Sequence, residues 1–207
     1  MYIYNLYSGS YLSNCYVLIS DGADGKNHAA VIDPSSDANE IVSFLQSKNA
    51  VIDMIIMTHG HFDHILSLDT LRNKTGVPAY IHREDAIMLT DGKKNGFYEL
   101  FNRERVYRPA EVLMNDGDRI SLGDEVLTVY HTPGHTHGSV CFLSDGLIFS
   151  GDTIFAETYG RCDLWNGDIE KMRTSLHKLS MLNPALTLYP GHGRACSLGE
   201  AIKNLYI

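Results

Sequence analysis

Between His59 and His64, in the stretch THGHFDH, the chain sets three imidazoles and one carboxylate: His59, His61, Asp63 and His64. Imidazole and carboxylate donors suit zinc and other borderline transition metals. A mononuclear catalytic centre draws on three protein ligands, so four donors from one turn point to two neighbouring ions. His59 and His61, two apart just past a strand end, can face one ion. Asp63 and His64 lie further round, at the start of the following helix, and can face a second. A helix N-terminus does not favour a cation, so the Asp63 carboxylate has to supply compensating charge.

Three more donors each follow an apolar, strand-like run: His135 in HTPGHTHGS, Asp152 in IFSGDTIF and His192 in LYPGHG. Each has a glycine beside it (Gly134, Gly151, Gly191), and glycine permits the tight turn that brings a backbone close to an ion. Strand ends converging on one edge would put His59, His61 and His135 on one metal and Asp63, His64 and His192 on the other, with Asp152 bridging. Two metals about 3.5–4 Å apart hold a water or hydroxide between them. Asp33, Asp53, His131 and His137 lie where they could orient ligand imidazoles. Thr58 and Thr132 read as local backbone caps, and His28, His82 and His177 as ordinary histidines. Arg161 could pair with a substrate carboxylate or simply bind Asp163 within its own loop, and Tyr159 could line the pocket.

These donors need elements to position them. Strands are expected at 14–20, 29–33, 51–57 and 78–82, then at 119–122, 125–131, 139–143, 147–150 and 186–189. Helices are expected at 36–48, after THGHFDH through Ile65, Leu66, Leu68 and Leu71, and at 83–89, 168–182 and 197–205. Asp37 and Glu40 have capping-box spacing. Residues 90–109 are polar and aromatic and fit a lid, a dimer surface or a connector. Strands and helices recur in both halves. One domain over 1–207 is therefore expected, with two sheets face to face, helices outside, and a join near 105–115.

The 207 residues carry a net charge of −8, with 17 basic against 25 acidic side chains, which argues against a nucleic-acid partner. No run reaches the roughly 18 apolar residues of a membrane helix. The N-terminus has no basic stretch ahead of its apolar residues, as a secretory signal would. Cys15, Cys141, Cys162 and Cys196 form no CxxC pair and read as reduced thiols. The expectation is a cytoplasmic protein with no membrane or nucleic-acid partner and an open oligomeric state.

With THGHFDH, HTPGHTHGS, SGDTIF followed by YGRCDL, and YPGHG, nearly the whole chain resembles a hydrolase of the metallo-β-lactamase superfamily. Within it, the chain is most similar to the short bacterial relatives of glyoxalase II, the hydroxyacylglutathione hydrolases. The resemblance implies an α+β fold, the αββα four-layer sandwich, and the ligand assignment above with two Zn²⁺ per chain, Fe or Mn being alternatives. It also implies hydrolysis of a small-molecule thioester of the S-lactoylglutathione type. No GxSxG elbow is present and no motif sets a cysteine beside a histidine base, so the nucleophile is expected to be a metal-bridging hydroxide, with Asp63 and Asp152 as the catalytic carboxylates.

Two departures bear on the substrate. Full-length glyoxalase II grips glutathione partly with a C-terminal helical region, and only residues 194–207 follow PGHG here. Asp163 also stands where that enzyme has an aromatic, and Arg161 where it has a lysine that contacts glutathione. Another thioester, an ester or a lactone is an alternative. So is a persulfide dioxygenase holding one Fe(II) on His59, His135 and Asp152. A class B β-lactamase is disfavoured, because the best-known subclass has Cys at the position of Asp152 and Arg at that of His64.

Overall fold

The computed structural model describes residues 1–7 and 13–205. In chain order it runs β1 (Tyr2–Asn5), β2 (Tyr16–Asp21), β3 (Asn27–Ile32), α1 (Ala38–Ser47), β4 (Ala50–Ile56), α2 (Leu68–Thr75), β5 (Ala79–His82), α3 (Ala86–Thr90), α4 (Phe97–Phe101) and β6 (Val112–Met114). It continues with β7 (Arg119–Leu122), β8 (Glu125–His131), β9 (Val140–Ser144), β10 (Leu147–Gly151), α5 (Ile169–Ser180), β11 (Thr187–Pro190), β12 (Cys196–Ser197) and α6 (Leu198–Asn204). One sheet has the order β1-β2-β3-β4-β5-β6 and the other β12-β11-β10-β9-β8-β7. Both are mixed: β3 to β6 pair in parallel, as do β10 and β11, and the remaining neighbours are antiparallel.

The central strands are apolar on both faces because each face meets a different core. On β2 to β4, Val17, Ile19, Ala29, Val31 and Ile55 face α1 and α2, packing against Ile41, Leu45, Leu68 and Leu71. The alternate residues Tyr16, Leu18, Ala30, Ile32, Met54 and Ile56 face the second sheet, where Leu127, Val129, Phe142 and Phe149 meet them. That sheet's outer face carries Cys141, Ile148 and Leu188 against Met172, Leu176 and Leu179 of α5 and Ala201 of α6. Three cores thus separate four layers, α-β-β-α, as expected. Fully burying a side chain of Leu, Ile or Phe size contributes about 1.5–3 kcal/mol.

The helices start where their caps say they should. Asp37 accepts hydrogen bonds from the backbone N–H of Asn39 and Glu40, Asp168 from Glu170 and Lys171, and Ser197 from Glu200. The helix expected directly after THGHFDH is a correction. Residues Phe62–His64 form a single 3₁₀ turn, and α2 begins only at Leu68. The break lets Phe62 and His64 both turn inward before the amphipathic stripe of α2 begins. Among the described residues no helix is long and apolar enough to cross a membrane.

The segment 90–109 is tied down over the turn that carries the histidines. Asn95, fully buried, donates its amide to the carbonyls of Met88 and Arg105, and its own carbonyl accepts from Phe62 N–H. Phe62, Phe97 and Phe101 form an edge-on aromatic cluster. The Arg105 guanidinium bonds the Leu66 carbonyl and lies over the rings of Phe97 and Tyr107.

Candidate metal centre

Strands β3, β4, β8, β10 and β11 end on the same edge of the sandwich, and the polar residues just past their ends meet there. The two sheets are stitched at this edge. Asn14 donates to the carbonyls of Pro190 and Gly193, the Tyr16 hydroxyl to that of Pro190, and the Val140 N–H to the Thr58 carbonyl. All seven donors singled out in the sequence come together here.

The side-chain nitrogens of His59, His61 and His135 lie within 4.8 Å of one another, as do the donor atoms of Asp63, His64 and His192. His61 Nδ1 and His135 Nε2 are 2.8 Å apart and face the same point. Asp152 reaches both groups. Its Oδ1 is 3.3 Å from His64 Nε2, and its Oδ2 is 3.5 Å from both His135 Nε2 and His192 Nε2. The geometry thus gives two three-membered donor groups with one carboxylate between them.

The supporting residues fix which nitrogen each ring presents. Asp33, 2% exposed, accepts from Thr58 N–H, from the Thr58 hydroxyl at 2.6 Å and from His64 Nδ1 at 2.9 Å. Because a carboxylate only accepts, His64 carries its proton on Nδ1 and turns Nε2 toward Asp152. Having donated its proton to Asp33, the Thr58 hydroxyl accepts from His59 Nδ1 at 3.0 Å, which leaves His59 Nε2 to face inward. His135 Nδ1 donates to the Arg161 carbonyl at 2.7 Å, so its Nε2 faces inward too. Asp33 was flagged by its position after a strand. The backbone role of Arg161 left no trace in residue type, and Thr58, expected as a backbone cap, instead relays between the Asp33 carboxylate and the His59 ring.

Other expected supports lie elsewhere. Asp53 pairs with His28 at 2.8 Å, away from the centre. The His131 ring stacks on His82, centroids 4.2 Å apart, and bonds the His137 carbonyl, so neither His131 nor His137 orients a donor histidine.

Two glycines are required by contact. A Cβ on Gly191 would sit 2.2 Å from Asp152 Oδ1, and one on Gly160 1.9 Å from the Asp152 carbonyl oxygen. Gly160 was passed over in the sequence because it flanks no donor there.

Electrostatics divides the two groups. Burial, then the neighbouring imidazoles, holds His59 well below its usual value, and burial with His135 drives His61 down to about 3. Burial lowers His135 as well. A metal ligand must be the neutral imidazole, so these rings are ready to bind. In the second group burial is overridden. The charges of Asp152 and Asp63 lift His64 well above its usual value, and the bond to Asp63 lifts His192. The positive His64 in turn holds Asp63 and Asp152 below the ordinary carboxylate range against their own burial. His59 Nε2 and His61 Nε2 are buried without a hydrogen-bond partner. A buried orphan polar atom costs about 1–3 kcal/mol. A divalent cation would supply the missing partner of His59 Nε2 and discharge the proton that His64 otherwise holds, so the donor set fits a pair of such ions; the atom His61 offers to that point is Nδ1, not Nε2.

Asp85, which no motif flagged, ties the two histidine loops together. It is fully buried and accepts from Gly138 N–H at 2.7 Å, from the Thr136 hydroxyl at 2.6 Å and from Gly60 N–H at 3.1 Å. Burial pushes its carboxyl up to about 6, against the pull of those three donors. An acid with a higher folded than unfolded value holds more protons when folded, so this group's contribution to stability falls as pH rises from about 4 to about 6 and is flat above. Asp85→Asn is expected to remove that fall. Urea midpoints of chelator-treated wild type and variant at pH 4.5 and 6.5 check it, and parallel slopes in the two proteins would count against this reading.

A cavity of about 480 Å³ opens onto the centre, lined in part by His61, Asp63, His135, Asp152 and His192. Arg161 lines it too, but its guanidinium holds Asp163 through two bonds of 2.7 and 2.8 Å. Tyr159 is not among the lining residues; it pairs with Ile154 across an isolated bridge.

Fold and donor set together define a class. The family model described as "Metallo-beta-lactamase superfamily" matches residues 9–192, and the chain belongs to that superfamily. It is 35% identical over 188 residues to the probable metallo-hydrolase YqgX of Bacillus subtilis, covering 89% of this chain and 87% of that protein. Among solved structures it is similar to the BLEG-1 B3 metallo-β-lactamase, with 30% identity, a TM-score of 0.89, and coverage of 98% of this chain and 97% of that one. It is also similar to TTHA1623 in a di-iron-bound form, with 27% identity, a TM-score of 0.84, and coverage of 99% and 100%.

Proposed function

We infer that the protein is a binuclear metal-dependent hydrolase that cleaves a thioester or closely related acyl bond of a small molecule. The observation that carries this reading is the pair of donor groups sharing Asp152, since a purely structural zinc site closes at four ligands. The names of its relatives agree as far as they go: YqgX is called a probable metallo-hydrolase, and TTHA1623 was seen with two irons.

His59, His61 and His135 would hold one ion, Asp63, His64 and His192 the other, and Asp152 both. Zinc suits these donors, and iron or manganese can occupy them. When bound, such ions lower the pKa of water toward about 7 and polarise a carbonyl. The chain's own part is positional. Asp33, Thr58 and the Arg161 carbonyl fix the tautomers of three rings. Asp63 Oδ2, held by the Ser13 hydroxyl at 2.9 Å and lining the cavity, is placed to take a proton and return it to the departing thiolate or alkoxide.

Asp152→Ala and His61→Ala are expected to lower metal content from about two per chain and to cut thioester turnover at least about a hundredfold. Elemental analysis alongside thioester absorbance loss checks this. Near-normal turnover in a metal-free preparation would overturn the reading. A single iron per chain with oxygen uptake on a glutathione persulfide would replace it by the dioxygenase. The likeness to BLEG-1 along almost the full chain makes a β-lactam the second substrate class to assay.

A further inference from the structure

Resting on the hydrolase reading, we propose that the cavity takes an acyl substrate with an uncharged, apolar body, and that an anionic, peptide-like handle such as glutathione is not what it recognises. Beyond the metal donors, the walls are formed mainly by Phe62, Leu100, Phe155 and Leu164. The polar side chains among them are already committed. Asn95 gives its amide hydrogens to the carbonyls of Met88 and Arg105, and its Oδ1 accepts from Phe97 N–H. Arg161, the one Lys or Arg among the lining residues, is paired with Asp163 through Nε and Nη2. What remains is Glu99 of α4, a negative charge on the wall.

Away from the metal donors, a carboxylate drawn from water into such a site meets Glu99, and the one guanidinium on the wall is already paired with Asp163, so binding it costs more than it returns. An alkyl chain meets the opposite situation. Leu100 lines the cavity yet is 65% exposed, so apolar surface extends from the wall out to solvent. A volume of about 480 Å³ is ample for a medium-length acyl group. Each methylene removed from water should raise affinity roughly threefold to fourfold.

The test uses metal-loaded protein of measured occupancy and two readouts. In turnover, acetyl-, butanoyl- and hexanoyl-N-acetylcysteamine are compared with S-lactoylglutathione. We expect kcat/KM to rise about threefold per added methylene and the hexanoyl thioester to exceed S-lactoylglutathione by at least about tenfold. In binding, calorimetry compares two thioethers that cannot be hydrolysed, S-hexyl-N-acetylcysteamine and S-hexylglutathione, which share the alkyl chain and differ in the handle. The neutral one is expected to bind more tightly, and Glu99→Lys to narrow the gap. Preference for the glutathione compound in either readout, or no dependence on chain length, overturns the proposal and leaves the hydrolase reading standing. Tight neutral binding with no thioester, ester or lactam turned over sinks the hydrolase reading while upholding the apolar cavity.

Discussion

Asp33→Asn is expected to cut turnover by about a hundredfold to ten-thousandfold and to weaken metal binding about ten- to a hundredfold, with the sandwich still folded. The substitution changes one oxygen for an NH₂ and almost nothing in shape. Asp33 sits at φ +50°, in the left-handed region, which asparagine tolerates as well as aspartate does. An asparagine Oδ1 can still accept from Thr58 N–H, where Asp33 does so at 2.7 Å. The other atom decides the outcome. Asp33 Oδ2 accepts from both Thr58 Oγ1 and His64 Nδ1, and an amide nitrogen there can only donate. His64 must then accept at Nδ1, which moves its proton to Nε2, the atom that faces Asp152. The Thr58 hydroxyl, no longer donating to residue 33, turns its proton toward His59 Nδ1 and drives that ring's proton inward as well. One oxygen thus sets the tautomer of a histidine in each donor group. Elemental analysis, kcat and the ¹⁵N imidazole shifts of His59 and His64 check this together. Retained metal with unchanged shifts would show that Asp33 acts only as a strut.

The parts of this arrangement that could be read from the sequence are those whose chemistry and local pattern coincide. The seven donors were legible because all lie just past apolar strands and five of them sit beside a glycine, and the strands expected at 119–122 and 125–131 match β7 and β8 to the residue. Strands such as β4 could be recognised by an apolar run alone, since both faces are covered. β1, β6 and β12 left little signal. They are two to four residues long and lie at or next to sheet edges, where pairing with a neighbour and not burial makes them strands. The supports were harder still. Asp85 is 21 residues or more from every donor along the chain, and its role depends on N–H groups that any residue could offer. Arg161 drew notice for its guanidinium, but the atom that touches the centre is its carbonyl, which sequence does not distinguish. Asp53 and His131 misled for the converse reason: they are polar residues on strands whose partners lie away from the centre, His28 on the adjacent strand β3 and His82 on β5 of the opposite sheet.

Gly191→Ala is expected to abolish most activity without unfolding the protein, and the reason is contact alone. Gly191 is absent from the positions with positive φ, so alanine can adopt its backbone conformation and its N–H can still bond the Gly151 carbonyl. An added methyl, however, would lie 2.2 Å from Asp152 Oδ1 and 2.8 Å from His64 Cε1. Neither neighbour can move freely. The His64 ring is held by Asp33 and fully buried, and the Asp152 main chain is held close by Gly160. The rotatable part is the Asp152 carboxylate, which must swing away from His64 and out of its place between the two donor groups. A misplacement of about 1 Å at a reacting centre costs on the order of a hundredfold in rate. The expected signature is a loss of that size or more in kcat, and one metal bound more weakly than the other, since the His59–His61–His135 group is untouched. Thermal unfolding of the chelator-treated protein should change little, because the strain relaxes through one side chain. Two tightly bound metals with normal kcat would show that Asp152 does not need the position the fold gives it.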